Sequence, residues 1–295
     1  MIDYHVHLWP HPERADSRQY RLEALAAYCE RAAEEGVGEI ALTEHLFRFE
    51  RAQELLGPFW EAEPRVGLRE AMAGYWEHHA TEDLDRYVES VLEAKAAGLP
   101  VVLGLEVDYY TDRMGEVAAL LAGYPFDVLL GSVHWLGTWM FDVLGEPVQM
   151  DEWDARGTEA AWRDYTTALE ELAATRTCDV LAHPDLIKLV GRYPDGGLLA
   201  ECEERMAEAA SGSGMAAEIS SAGWGKPVGE QYPSTSLLDR FHRRGVPVTT
   251  ASDSHGPKRV AARNGELRAL ASAAGYTSLC AFSARRPREV PLGSP

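Results

Sequence analysis

Seven short apolar runs, separated by stretches of helical periodicity, constrain this chain more than any other feature. They cover residues 2–8, 37–43, 100–105, 126–131, 178–182, 216–219 and 246–251. Helices are expected over residues 18–35, 82–97, 113–122, 158–174, 198–210 and 237–244, with a closing one over 265–274. In the first of these, Leu22, Leu25, Ala26, Cys29 and Ala33 form one apolar stripe. Strand–helix alternation with no break in composition predicts one α/β unit with a parallel sheet. An open sheet that binds dinucleotides would carry a Gly-x-Gly-x-x-Gly turn after its first strand, and none occurs here. A closed barrel is the expectation.

The first run also carries chemistry. Ile2, Tyr4, Val6 and Leu8 alternate with Asp3, His5 and His7, so the two histidines share a strand face and both reach one ion. Pro10 ends the strand and leaves His11 in the loop beyond. Of the ten histidines, His5, His7, His11, His45, His134, His183 and His255 lie at or just past the C-terminal end of a run; His78, His79 and His242 do not. In a barrel all strand C-termini open on one face. The pattern therefore gathers seven imidazoles there, with Glu106 and Asp253. One such histidine is more often a satisfied polar group than a ligand, but seven together are a ligand set. Imidazole and carboxylate suit zinc, manganese or iron, and nine groups exceed the needs of a single tetrahedral ion. Two or three divalent ions are expected. His78 and His79 are assigned to the surface or to a substrate pocket.

Charge narrows the partners. The 295 residues carry 47 acidic and 28 basic side chains, a net charge of −19. Such a surface repels nucleic acid and anionic membranes, and any phosphate site needs local compensation. No run is long enough to span a membrane and no secretory signal is visible. The scattered Cys29, Cys178, Cys202 and Cys280 suit reduced thiols in a cytoplasm. One domain over residues 1–285 is expected, with aromatic-rich cover segments near 46–80 and 135–157 and a loose Pro-rich tail over 286–295. The cover rings serve either an organic substrate or the core.

A barrel of the amidohydrolase type would bridge its metals with a lysine on the third strand. This chain offers Glu106, and no lysine lies between Lys95 and Lys188. The motifs His5-x-His7, Thr43-Glu44-His45, Gly104-Leu105-Glu106-Val107-Asp108, Gly131-Ser132-Val133-His134, Ala182-His183-Pro184-Asp185 and Ser252-Asp253-Ser254-His255 resemble the polymerase-and-histidinol-phosphatase (PHP) superfamily. The stretches Leu186-Ile187-Lys188 and Gly229-Glu230-Gln231-Tyr232-Pro233-Ser234 are similar to its stand-alone histidinol-phosphate phosphatases. Together these motifs span nearly the whole chain.

The resemblance implies a distorted (β/α)7 barrel with its metal site at the C-terminal ends of the strands. It implies one ion on His5, His7, Glu106 and Asp253, and a second on Glu106, His134 and His183. A third would sit on His11, His45 and His255. His11 follows His7 by only four residues, a shorter spacing than many relatives have. Where close relatives often carry an arginine beside Lys226, this chain has Gly225.

The implied reaction is hydrolysis of a phosphate monoester, first of all L-histidinol phosphate in histidine synthesis. The alternative, favoured by Gly225, is another small phosphate ester or related substrate in specialised metabolism. Asp253, Glu106 and His255 are the catalytic candidates. Lys188, Arg192, Lys226 and Arg259 follow strand ends and are expected to clamp phosphate, while Asp3 and Asp185 are expected to orient ligand histidines. A barrel kept only for binding would have lost ligands first.

Overall fold

Each apolar run becomes a strand in the computed structural model, which describes residues 1–10 and 17–292. The strands β1 (Ile2–His7), β2 (Glu39–Leu42), β3 (Val101–Asp108), β4 (Val128–Ser132), β5 (Val180–Leu181), β6 (Ala216–Ser220) and β7 (Val248–Ala251) lie side by side in chain order. Every pairing among them is parallel. The chain leaving β7 then forms β8 (Ser254–His255), which pairs with β1 through Val6–Ser254 and His7–His255. One segment thus bonds β6 on one side and β1 on the other, and the sheet closes. The fold is a distorted (β/α)7 barrel.

Helices cover its outside: α1 (Leu22–Glu34), α2 (Glu50–Leu56), α3 (Val66–His79), α4 (Leu84–Ala96), α5 (Met114–Leu121), α6 (Pro147–Arg156), α7 (Thr158–Thr175), α8 (Gly196–Ser213), α9 (Thr235–Arg243) and α10 (Asn264–Ala273). Their limits follow local chemistry. Asp83 caps α4 by accepting from the amides of Asp85 and Arg86, and Asp195 does the same for α8 with Gly197 and Leu198. Both cover segments fold into helix: α2 and α3 in the first, α6 in the second. Trp139, Phe141 and Trp153 of the second are fully buried, with the two indoles edge to face at 5.0 Å. These three rings are core.

The C-terminal tail departs from expectation. Arg286–Pro291, expected to be loose, form β10, which pairs antiparallel with β9 (Ser278–Ser283). Leu279, Ala281 and Phe282 of β9 pack on Ile2, Tyr4, Val102, Val128 and Val180, near the N-terminal ends of the barrel strands. The hairpin plugs the bottom of the barrel. Its two-residue turn, Ala284-Arg285, has φ of +47° and +63°. That is the geometry which usually selects Asn-Gly, so the turn is invisible in these residues. Pro287 and Pro291 fit because β10 is an edge strand. Asp127 accepts from the amides of Leu103 and Ala284, fastening hairpin to barrel.

At the opposite end the strands approach closely. A Cβ added to Gly104 would lie 2.6 Å from the Thr43 methyl and 3.1 Å from the Leu42 carbonyl. The hydroxyl of Tyr87 sits 2.7 Å from Leu42 O and 2.9 Å from Gly104 O, bridging β2 and β3 just below Glu44 and Glu106. Gly104→Ala should therefore force β2 and β3 apart and cost about 1–3 kcal/mol, read as a lower midpoint in urea unfolding; an unchanged midpoint would show that the contact relaxes freely.

Candidate metal centre

Glu106 lies at the middle of the strand ends, with no exposure to solvent. Its Oε2 is 2.7 Å from His45 Nδ1, 3.2 Å from His5 Nε2 and 3.5 Å from His7 Nε2. Its Oε1 is 3.1 Å from His183 Nε2 and 3.4 Å from His134 Nε2. Five imidazoles from four strand ends therefore converge on one carboxylate. Asp253 approaches from β7, its Oδ1 3.3 Å from His7 Nε2 and 3.9 Å from His5 Nε2. The rings of His255 and His45 lie 4.2 Å and 4.1 Å from that of His7, and 5.7 Å from each other. The structure thus brings together His5, His7, His45, Glu106, His134, His183, Asp253 and His255. His11 lies outside the described residues.

Three groups in this cluster have donor atoms within 4.8 Å of one another: His7, His45 and His255; His5, His7 and Glu106; and His45, Glu106 and His134. The donor chemistry fits cations. His5 Nε2, His7 Nε2 and Glu106 Oε2 are buried and meet at 3.2–3.5 Å without an aligned hydrogen bond, a costly state that a shared cation would relieve. Shared residues between the groups make this the arrangement of a multinuclear divalent-metal site. His183 and Asp253 hold left-handed φ of +27° and +51°. Non-glycine residues in that region store about 1–3 kcal/mol each, typically at functional sites.

Carboxylates behind the cluster orient the rings. His5 Nδ1 lies 2.7 Å from Glu218 Oε2, and His134 Nδ1 lies 2.6 Å from Asp108 Oδ1. Because an ionised carboxylate only accepts, each contact makes Nδ1 the donor and turns Nε2 towards Glu106 as the nitrogen for which a metal ion would displace a proton. Glu44 stands 3.4 Å from His7 Nδ1 and accepts from the Leu8 amide at 2.9 Å. Burial opposes ionisation of Glu44, but the His7 hydrogen bond and the charge of Arg48 bring its carboxyl down to about 2. Burial likewise opposes ionisation of Glu106, and the surrounding His45, His5 and His134 hold it well below the usual range. Burial pushes Asp108 up to about 6 despite His134.

This orienting role was expected of Asp3 and Asp185, and neither performs it. Asp3 accepts from Ser252 N, Ser252 Oγ and Ala261 N, tying the loop after β7 to β1. Asp185 accepts from Ser234 N and pairs with Lys188 at 2.9 Å. Signals for the true partners existed: Asp108 follows Glu106 by two on one strand face, and Glu218 is the lone charge in an apolar strand.

A cavity of about 730 Å³ opens beside the cluster. His45, His134, His183, Asp253 and His255 form its metal-side wall. The first cover segment contributes Phe47, Tyr75, His78 and His79, and the second contributes Asp142 and Glu146. Of the expected phosphate clamps, Lys226 lines this cavity and Arg259 lines an adjoining one. Lys188 does not reach it. It is buried and held by Asp185, Glu230 and the Gln231 carbonyl, each within 2.9 Å. Arg192 also misses: it pairs with Asp154 at 2.7 Å and lies over the Trp153 ring. Both follow strand ends in sequence, but their side chains are taken by internal partners.

A closed parallel barrel with a histidine–carboxylate cluster at its strand C-termini defines a class, the TIM-like barrels with a multinuclear metal centre. Within it, the PHP domain pattern matches residues 21–222, and this chain belongs to that family. A protein named probable histidinol-phosphatase from Deinococcus radiodurans is 33% identical over 185 residues, 62% of this chain and 69% of that protein. A histidinol-phosphatase from Lactococcus lactis subsp. lactis is 27% identical over 191 residues, 63% of this chain and 69% of its own. The fold matches a crystal structure of histidinol phosphate phosphatase from Lactococcus lactis subsp. lactis complexed with zinc, L-histidinol and phosphate. That match has a TM-score of 0.69 at 21% identity and covers 97% of this chain and 98% of the other. Among the described residues no helix is long and apolar enough to cross a membrane.

The orienting carboxylates yield a direct test. Glu218→Ala or Asp108→Ala should lower affinity for divalent metal about 10- to 100-fold with secondary structure retained, as measured by chelator competition alongside circular dichroism. Unchanged affinity in both variants would remove the carboxylates from the metal site.

Proposed function

We propose that this protein is a metal-dependent phosphomonoesterase that hydrolyses L-histidinol phosphate to L-histidinol and phosphate. One observation carries the reading: a cavity walled by the Glu106-centred histidine cluster also bears Lys226, carboxylates and aromatic rings. A substrate with an anionic phosphate, a cationic amine and a flat imidazole meets a complementary group for each part. Lys226 suits the phosphate, Asp142 and Glu146 suit the amine or a protonated imidazole, and Phe47 and Tyr75 suit the ring. The relatives named for this activity support it.

We assign one ion to His5, His7, Glu106 and Asp253, and a second to Glu106, His134 and His183. A third is assigned to His45 and His255 with His11. Zinc fits the imidazole-rich donor set, with manganese or iron as the other candidates. Such ions supply Lewis-acid stabilisation of the charge that develops on the phosphoryl group. Asp253 faces the cavity, and its carboxylate is the group we assign to take a proton from the attacking water and pass it to the departing alcohol oxygen. His255, on the same wall, would orient the phosphoryl group through the ion it helps to hold, and Glu106 would serve as ligand to both of the first two ions. The apolar and aromatic walls exclude water from the carbon part of the substrate. The four cysteines are buried and free, which supports a reducing, cytoplasmic setting.

A second reading keeps the chemistry and changes the substrate to another small phosphate ester. Gly225, where close relatives often have arginine, favours it. Phosphate release from L-histidinol phosphate, measured beside a panel of small phosphomonoesters, separates the two. Preference for L-histidinol phosphate, loss of activity with a chelator, and a fall of at least about 100-fold in kcat for Asp253→Asn are the expected results. Activity that survives complete metal removal would overturn both readings.

A further inference from the structure

The chain is strongly acidic, and most of its arginines are tied to carboxylates, as in Arg51–Asp85, Arg192–Asp154 and Arg205–Glu170. Lys226 and Arg259 are different. Neither side chain has a hydrogen bond or ion pair among the described residues, yet both line one cavity of about 420 Å³ together with Asp253 and His255. That cavity shares Ala222, Lys226, Asp253 and His255 with the larger one, so the two adjoin at the metal centre.

Gly225 explains how Arg259 gets there. A Cβ built on Gly225 would stand 3.4 Å from one terminal nitrogen of Arg259 and 3.8 Å from the other. The backbone at Gly225 is not left-handed, so its conformation does not demand glycine. What a longer side chain would meet is the guanidinium. The loops are also locked in register. Arg263 stacks over the Trp224 ring at 3.7 Å, and the Ala261 amide donates to Asp3 at 2.7 Å. The main chain just after Arg259 is therefore fixed against β1 and against the loop that holds Gly225 and Lys226.

We propose that Gly225 and Arg259 act as a matched pair: the missing side chain at 225 admits the Arg259 guanidinium, which with Lys226 binds the phosphoryl group of the substrate. The inference rests on the phosphomonoesterase reading and adds the residue that grips the anion. Arg259 is a binding residue, so its loss should weaken the hold on phosphate more than turnover. An arginine placed at 225 in its absence delivers a guanidinium to the same space from the other loop.

The test uses the metal-loaded protein with inorganic phosphate, followed by calorimetry, so that it does not depend on turnover. Arg259→Ala should weaken phosphate binding about 10- to 100-fold, the usual loss for a charge-assisted hydrogen bond, with metal content unchanged. KM for phosphomonoesters should rise with it while kcat moves less. The double variant Gly225→Arg with Arg259→Ala should recover at least a third of the lost affinity on a logarithmic scale. Phosphate binding within twofold of wild type in Arg259→Ala would overturn the proposal, as would a double variant no better than the single one. A wild type that binds phosphate through Arg259 but hydrolyses no phosphomonoester would instead sink the assigned reaction.

Discussion

A carboxylate cut off from water sets the terms for the rest of this molecule. Moving an ion of that size into the interior costs several kcal/mol after relaxation, and Glu106 is fully buried at the hub of the strand ends. The cost is met by position. Five histidine nitrogens stand within 3.5 Å of its two oxygens, and they arrive from β1, from the ends of β2 and β4, and from the turn after β5. Only a parallel barrel points that many strand ends at one spot. Protons and metal ions compete for the same nitrogen lone pairs, so the cluster is a device for holding positive charge. The barrel is the scaffold that lets it stay buried.

Around this hub the polar chemistry is layered. Glu218, Asp108 and Glu44 stand behind His5, His134 and His7, and they are themselves buried. Asp3 reaches from β1 to the loop carrying Ser252 and Ala261. Its effect is indirect: it places Asp253 on the one hand and Arg259 on the other. A buried group with only structural partners thereby connects the metal cluster to the cationic wall of the cavity. Such supporting contacts fix first-rank groups to within the tolerance that binding and catalysis require.

The parts of this design that were legible in the sequence rest on local periodicity. Histidines two apart on a strand must share a face, and residues just past an apolar run must lie at its mouth; hence the cluster from His5 to His255. What was hidden depends on contacts between distant segments. Lys188 and Arg192 follow a strand end as Lys226 does, but Asp185 and Asp154 capture them, and no spacing rule foretells a captured charge. Glu218 lay inside a run read as plain strand. The β9–β10 hairpin escaped because Ala284 and Arg285 adopt a turn usually reserved for Asn-Gly, and because prolines on an edge strand read as a tail.

The net charge of −19 at first argues against an anionic ligand, and the distances show why it does not decide the matter. At physiological ionic strength, charges in solvent are screened over about 8 Å. Most of the acidic surface therefore acts on an anion only during approach, where it lowers the encounter rate. Within the cavity the balance is set by what stands in direct contact. There the groups are Lys226 and Arg259, which make no ion pair among the described residues, the carboxylates Asp142, Glu146 and Asp253, and a histidine cluster built to hold cations. A low-dielectric wall of Phe47 and Tyr75 strengthens each of those contacts relative to water. Local charge, placed by two loops that Arg263 and Asp3 lock together, thus outweighs the global charge at the point where binding occurs.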